Sequence, residues 1–122
     1  MTSIREFRDH VLELLEPLGP VSARSMFGGV GIYLDGTMFA LITRSEVLYF
    51  RTDDVNRSSY EDAGTGPFIP FADGRMTMPY HEVPAEVMED GDALCEWARA
   101  AVDAALRSPK KKKKAAKTNR QS

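Results

Sequence analysis

Few side chains in this 122-residue sequence could carry out covalent chemistry, and they are scattered. There is one cysteine, Cys95, and there are two histidines, His10 and His81. A nucleophilic thiol needs a base within hydrogen-bond reach and a lowered pKa. Cys95 stands between Leu94 and Trp97 in a helix-patterned stretch, so it reads as a small buried apolar residue. A zinc site needs three or four Cys, His or carboxylate ligands brought together, and one cysteine with two distant histidines is a poor start. His10 stands alone in a helical pattern and reads as a surface or edge residue. Tyr80-His81-Glu82 invites a general-base idea. In a strand, however, neighbouring residues face opposite ways, so adjacency alone cannot build one constellation from them. The expectation is a non-enzymatic chain with no metal and no cofactor.

Three patterns suit binding better. Gly28-Gly29-x-Gly31 superficially has the look of a phosphate loop, but no Lys-Ser/Thr follows and the next stretch is strand-like. Paired glycines in a strand-like stretch predict a bulge, with room for a partner strand or side chain to approach. Arg24 precedes this motif on a predicted strand. It either pairs with one of many nearby acids or contacts an anion or partner beside the bulge. Arg24, Met26, Phe27, Gly28 and Gly29 are therefore the candidate partner-binding residues.

The third pattern is the C-terminal tail, with Lys110, Lys111, Lys112, Lys113, Lys114, Lys117 and Arg120. All the lysines lie there, giving the tail +7, whereas residues 1–109 hold nine arginines against eighteen acids, or −9. Many cations with little order suit sequence-independent contact with DNA phosphates. No aromatics interleave, so base stacking is not indicated. The same tail could instead aid solubility or fold back on the acidic body.

The elements that position these residues follow from periodicity. Ser3 and Glu6 form a capping box, and Ile4, Phe7, Val11, Leu14 and Leu15 recur at helical spacing. The predicted helix runs from Ile4 to Glu16 and stops at Pro17 and Gly19. Strands are expected over Val21 to Phe27, Val30 to Leu34, Met38 to Ile42 and Val47 to Arg51, with the first three at the centre of a sheet kinked at Gly28-Gly29. Asp35-Gly36 predicts a two-residue hairpin with positive φ at both positions. Asp53 or Asp54 would cap a short helix through Ala63, closed by Gly64. Phe68 to Phe71, interrupted by Pro70, reads as an edge strand, and Asp73-Gly74 as a turn. Arg75 to Val83 alternates, but Pro79 makes that strand irregular or places it at an edge. Pro84 opens a brief helix through Met88. A last helix, Asp92 to Leu106, puts Leu94, Trp97, Ala98, Ala101, Val102 and Ala105 on one face, with Trp97 buried against the sheet. Residues 1–108 thus form one domain, and residues 109–122 a disordered basic tail.

Composition is that of a soluble globular protein, 43% hydrophobic and 28% charged. No apolar run approaches the roughly 20 residues of a membrane span. A single cysteine and no signal-peptide pattern suit a reducing cytoplasm.

Arg24-x-Met26-Phe27-Gly28-Gly29-x-Gly31-Ile32-Tyr33, followed by Asp35-Gly36-x-Met38-Phe39-Ala40-Leu41, resembles the N-terminal domain of the TfoX/Sxy family. The resemblance continues through Leu48-Tyr49-Phe50-Arg51, Phe68, Met78-Pro79-Tyr80-His81-Glu82-Val83-Pro84, Leu94 and Trp97-Ala98. It implies an α+β fold, a two-layer sandwich of a mostly antiparallel sheet with N- and C-terminal helices, similar to secretion chaperones. It also implies regulation linked to bacterial competence, as a transcriptional co-regulator, to which the lysine tail would add nonspecific DNA contact. The alternative is a protein-interaction or chaperone-like module without nucleic acid, docking a protein partner or a second copy through the sheet.

Overall fold

The computed structural model describes residues 4–26, 28–69 and 78–108. Ser3 of the capping box, Phe27, Pro70, the predicted Asp73-Gly74 turn and residues 109–122 lie outside them.

The first helix, α1 (Ile4–Leu14), ends earlier than expected, and a single 3-10 turn over Glu16–Leu18 follows. Pro17 has no N–H to donate back along the helix, so the turn tightens there while Leu15 and Leu18 stay buried. The chain then enters β1 (Val21–Met26), β2 (Gly29–Leu34), β3 (Thr37–Ile42) and β4 (Leu48–Arg51). With β5 (Pro67–Phe68) and β6 (Met78–Glu82) these form one antiparallel sheet, ordered β1-β2-β3-β4-β6-β5. The expected α+β class is thereby borne out.

Asp35 and Gly36 make the predicted tight turn, with φ of 51° and 81°, between the paired residues Leu34 and Thr37. The glycine pair behaves differently from expectation. Met26 pairs with Gly29, so the chain reverses between them and Gly28, at φ 79°, belongs to a hairpin turn. There is no bulge at Gly28-Gly29, and β1 becomes a sheet edge instead of part of its centre. The irregularity lies further on. Ile32 pairs with Ala40 but Tyr33 with Met38, which leaves Phe39 as the extra residue on β3. That bulge turns both Phe39 and Ala40 inward, each at 0% exposure.

One face of the sheet carries Val30, Ile32, Leu34, Ile42, Leu48 and Phe50 into the core. Across β3 and β4 lies α4 (Gly91–Leu106), bringing Leu94, Ala98, Ala101 and Val102. Its alanines keep helix and sheet close. Asp90 caps α4, its carboxylate accepting from the N–H groups of Asp92 and Ala93 at 3.1 and 3.3 Å. Before it, α3 (Ala85–Met88) follows Pro84 as expected.

Neither Asp53 nor Asp54 caps α2 (Arg57–Ala63); Asn56 occupies that position. Asp53 instead accepts from the Val55 N–H at 2.9 Å and pairs with Arg107 at 2.8 Å. Asn56 ties the turn down by donating to the Arg51 carbonyl and accepting from the Asp53 N–H. Pro79 sits on an interior strand, β6, where it donates nothing but accepts from the Thr52 N–H at 2.8 Å. The register slips between Pro67 and Phe68 opposite it, so β6 is irregular and the edge belongs to β5. Trp97 is only half-buried: it meets Tyr60 of α2 edge-on, centroids 4.8 Å apart, on the flank of the face expected to lie on the sheet.

Candidate interaction site

Strand alternation and register assemble the second face of the sheet. Arg24 is level with Gly31, and Gly31 with Leu41 and then Tyr49. Tyr33 is level with Met38, and Arg51 with Tyr80. These residues point away from the core cluster, which contains none of them. Among the described residues the six strands hold three charges, Arg24, Arg51 and Glu82, while the remaining acids lie on helices and connections. Among the described residues, this face therefore carries two arginines and one carboxylate.

The two arginines are held by rings. Arg24 Cζ lies 5.3 Å from the Tyr33 ring centroid, and Arg51 Cζ lies 5.7 Å from that of Tyr80. Both distances are within cation–π range. Among the described residues the ion pairs are Arg8–Asp9, Arg57–Asp54 and Arg107–Asp53, so neither strand arginine is neutralised by a carboxylate. The ion pair considered for Arg24 is replaced by a tyrosine contact. Arg51 Nε is buried and has no hydrogen-bond partner. Tyr80 is 4% exposed, and burial raises its phenol pKa, opposed by the hydrogen bond and charge of Arg51. Tyr33 raises it slightly further, which places the two tyrosines within electrostatic reach of each other.

Gly31 lies on β2, level with Arg24 and two residues before Tyr33. A Cβ at this position would stand 2.9 Å from Met26 Sδ and 3.3 Å from both Met38 Sδ and the Tyr33 ring. The missing side chain lets these three close over the backbone. At the hairpin end, Arg44 packs its guanidinium on Gly28, where a Cβ would meet Nη2 at 2.6 Å. Toward the other edge, Tyr49 packs at a tilt of 58° against Phe68, with centroids 5.0 Å apart. Burial, and then Glu82, raise the Tyr49 phenol pKa.

The core side offers less chemistry. His81 points inward, away from Tyr80 and Glu82, as strand alternation requires. Its Nδ1 lies 3.0 Å from Thr52 Oγ1, and its ring is 5.5 Å from that of Tyr60. Burial lowers its pKa, helped by Arg57 and opposed by Glu61. The Tyr60 hydroxyl is buried without a partner, and burial drives its pKa up. Cys95 is half-buried beside a shallow groove between the 3-10 turn and α4, and its thiol donates to the Leu14 carbonyl at 3.3 Å. Burial and Asp92 raise its pKa, the opposite of an activated nucleophile. Among the described residues no group of three or more His, Cys, Asp or Glu could hold a metal.

Of the candidates read from sequence, Arg24 and Met26 share this outer face, while Gly28 and Gly29 lie at its hairpin end. Phe27 and the tail cations Lys110 to Arg120 lie outside the described residues. Tyr33, Met38, Arg51 and Tyr80 are not among the binding candidates read from sequence. A turn placed between Met26 and Gly29 would have found Tyr33, because it sets Arg24 beside Gly31 and diagonal to Tyr33, whereas Arg51 and Tyr80 meet only through the pairing of β4 with β6.

No curated protein matches the chain. Residues 13–105, more than half of the sequence, match the TfoX N-terminal domain family. The motif blocks, the α+β fold and this match agree, and the chain belongs to the TfoX N-terminal domain family.

Proposed function

We propose that the chain is a non-enzymatic regulatory domain of the competence-linked type, a transcriptional co-regulator that touches DNA through its lysine tail. One observation carries this reading: every lysine follows α4, while residues 1–109 carry −9. Like charge repels duplex DNA from the body, and the screened repulsion at high salt offers no attraction in its place. Affinity therefore resides in residues 110–120. Seven cations on a short segment engage about four to six phosphates, which gives a slope of log affinity against log salt of about −4 to −5 with little sequence preference.

The test is a salt titration of duplex DNA binding by three molecules: the whole chain, a chain ending at Ser108, and the tail peptide. The isolated peptide should bind tightest, because the acidic body competes for its lysines. Binding by the chain ending at Ser108 as strong as that of the whole chain would make the folded domain the DNA reader. Absence of binding by all three near 50 mM salt, where lysine–phosphate contacts are strong, would remove DNA from the function.

A further inference from the structure

The two edges of the sheet are unequal. At one end β5 has two residues, one of them Pro67, and its pairing with β6 slips. Shortness, proline and irregularity keep an edge from pairing with another chain. At the other end β1 has six residues, no proline, and an unbroken register with β2 from Val21 to Met26. Its one charge is drawn off the edge, since the Arg24 guanidinium lies 5.3 Å from the ring of Tyr33 on β2. Among the described residues no strand pairs with the outer side of β1.

Alternation decides which groups that side presents. Met26 and Gly29 flank the two-residue turn, so they form a hydrogen-bonded pair, and Arg24–Gly31 and Ser22–Tyr33 follow at every second step. Val21, Ala23 and Ser25 therefore turn their N–H and C=O groups away from β2. The Val21 N–H agrees, since it donates to the Gly19 carbonyl at 2.9 Å. The Val21 carbonyl and both backbone groups of Ala23 and Ser25 are left for a partner. On the core side of this edge Val21 and Ala23 are only half-buried and Ser25 is exposed, so the edge stays accessible there too.

These features suit a second copy of the chain. A foreign peptide that adds a strand is selected by pockets for its alternate side chains, and Ser22, Ala23 and Ser25 are too small to shape them. A copy needs no pocket, because symmetry supplies the match. Two β1 strands that pair antiparallel with the same sheet face up must set one residue opposite itself, and charge chooses which. Centring on Arg24 would place like charges directly opposite, which is destabilising. Centring nearer either end runs β1 off its partner. Centring on Ala23 sets Arg24 opposite Ser22 and Val21 opposite Ser25. Ala23 then exchanges two bonds with its copy, and each Ser25 N–H meets the Val21 carbonyl across from it. We propose that the chain pairs with a second copy through the free edge of β1, antiparallel about Ala23, joining two six-stranded sheets into one. Residues 1–109 carry −9 in each copy, so the pairing tightens as salt screens their repulsion. It rests on the strand edge alone and is independent of DNA contact by the tail.

Sedimentation velocity of the full chain over rising concentration, at low and moderate salt, reads the association, beside a variant with all seven tail cations replaced by Gln. Both should dimerise, the Gln variant more strongly as salt rises. Ala23→Pro should leave the chain monomeric with its far-UV circular dichroism unchanged, because the lost N–H faces away from β2. In a Cys95→Ser background, Ala23→Cys should oxidise to a covalent dimer, since residues opposite each other in a hydrogen-bonded pair stand about 5.5 Å apart at Cα, within disulfide reach. Ser25→Cys in the same background should not, because four steps of ~3.4 Å put it about 14 Å from its copy along the strands. In the unaltered chain, hydrogen exchange at the Ala23 and Ser25 amides should slow as concentration rises, while Ser22 and Arg24, bonded to β2, stay slow throughout. That measurement decides the matter even if Ala23→Pro misfolds. A chain that stays monomeric, a dimer that survives Ala23→Pro, or cross-linking as ready through Ser25→Cys as through Ala23→Cys would overturn the proposal. Association that weakens with salt and vanishes in the Gln variant would assign it to the tail on the acidic body instead.

Discussion

Gly29→Ala probes the sheet at a point where backbone meets backbone. A Cβ on residue 29 would overlap the carbonyl oxygen of Ile42 and stand 3.5 Å from its carbonyl carbon. A side chain could rotate out of the way, but a carbonyl in a ladder cannot. The next residue, Val30, pairs with Ile42, so relief means opening β2 from β3 at that end. Overpacking strain costs about 1–3 kcal/mol, and weakening a ladder bond adds about 1 kcal/mol. The expected loss is thus about 3 kcal/mol, or a fall in Tm of roughly 12 °C for a domain of this size. Gly36→Ala is the matched control: nothing lies within 4 Å of its Cβ, and only the φ of 81° opposes the change. That conformation costs an L-residue about 1 kcal/mol. Urea unfolding followed by far-UV circular dichroism measures both. If Gly29→Ala lies within about 0.5 kcal/mol of the parent, or costs less than Gly36→Ala, the close approach of β2 to Ile42 is wrong.

Phe39→Ala should cost about 3–5 kcal/mol, since the bulge turns a ring at 0% exposure into the core. Trp97→Ala should cost less, about 2 kcal/mol, because the indole is half-buried and loses mainly its edge contact with Tyr60; equal losses in urea unfolding would count against this placement. His81 has a lowered pKa, so the unfolded chain takes up a proton more readily. Its contribution is full above about pH 6.5 and is lost as pH falls from there through the folded value. Thermal melts should therefore show Tm dropping below about pH 6.5, and His81→Gln should flatten that drop. Asp53, held low first by its hydrogen bond to Arg107, loses its contribution in a separate window below about pH 3.9.

Local chemistry was readable wherever it depended on one or two residues. Asp35-Gly36 could be assigned because few residue pairs tolerate positive φ twice in succession. The face of β4 followed from alternation, with Leu48 and Phe50 inward and Tyr49 and Arg51 outward. The helix α4 followed from its spacing, apart from Trp97. That residue sits at the flank of the apolar stripe, and what it touches depends on where α2 lies, which no periodicity in α4 can report.

The candidate site depended on longer-range information. A glycine pair between two β-prone runs fits a bulge in one long strand or a turn between two short ones, and the two differ by a full reversal of the chain. The turn puts Arg24 across from Gly31 and within reach of Tyr33; the bulge would have left it without that neighbour. Composition misled in the same way. With eighteen acids in the chain, an arginine on the surface is expected to find a carboxylate. Yet among the described residues the acids are segregated to helices and connections, and the strands contribute only Glu82, which is level with Tyr49. An arginine on this face therefore packs against a ring and not against a carboxylate. Charge averaged over a sequence says little about the charge on one face of a sheet, because each strand sends alternate residues to opposite sides.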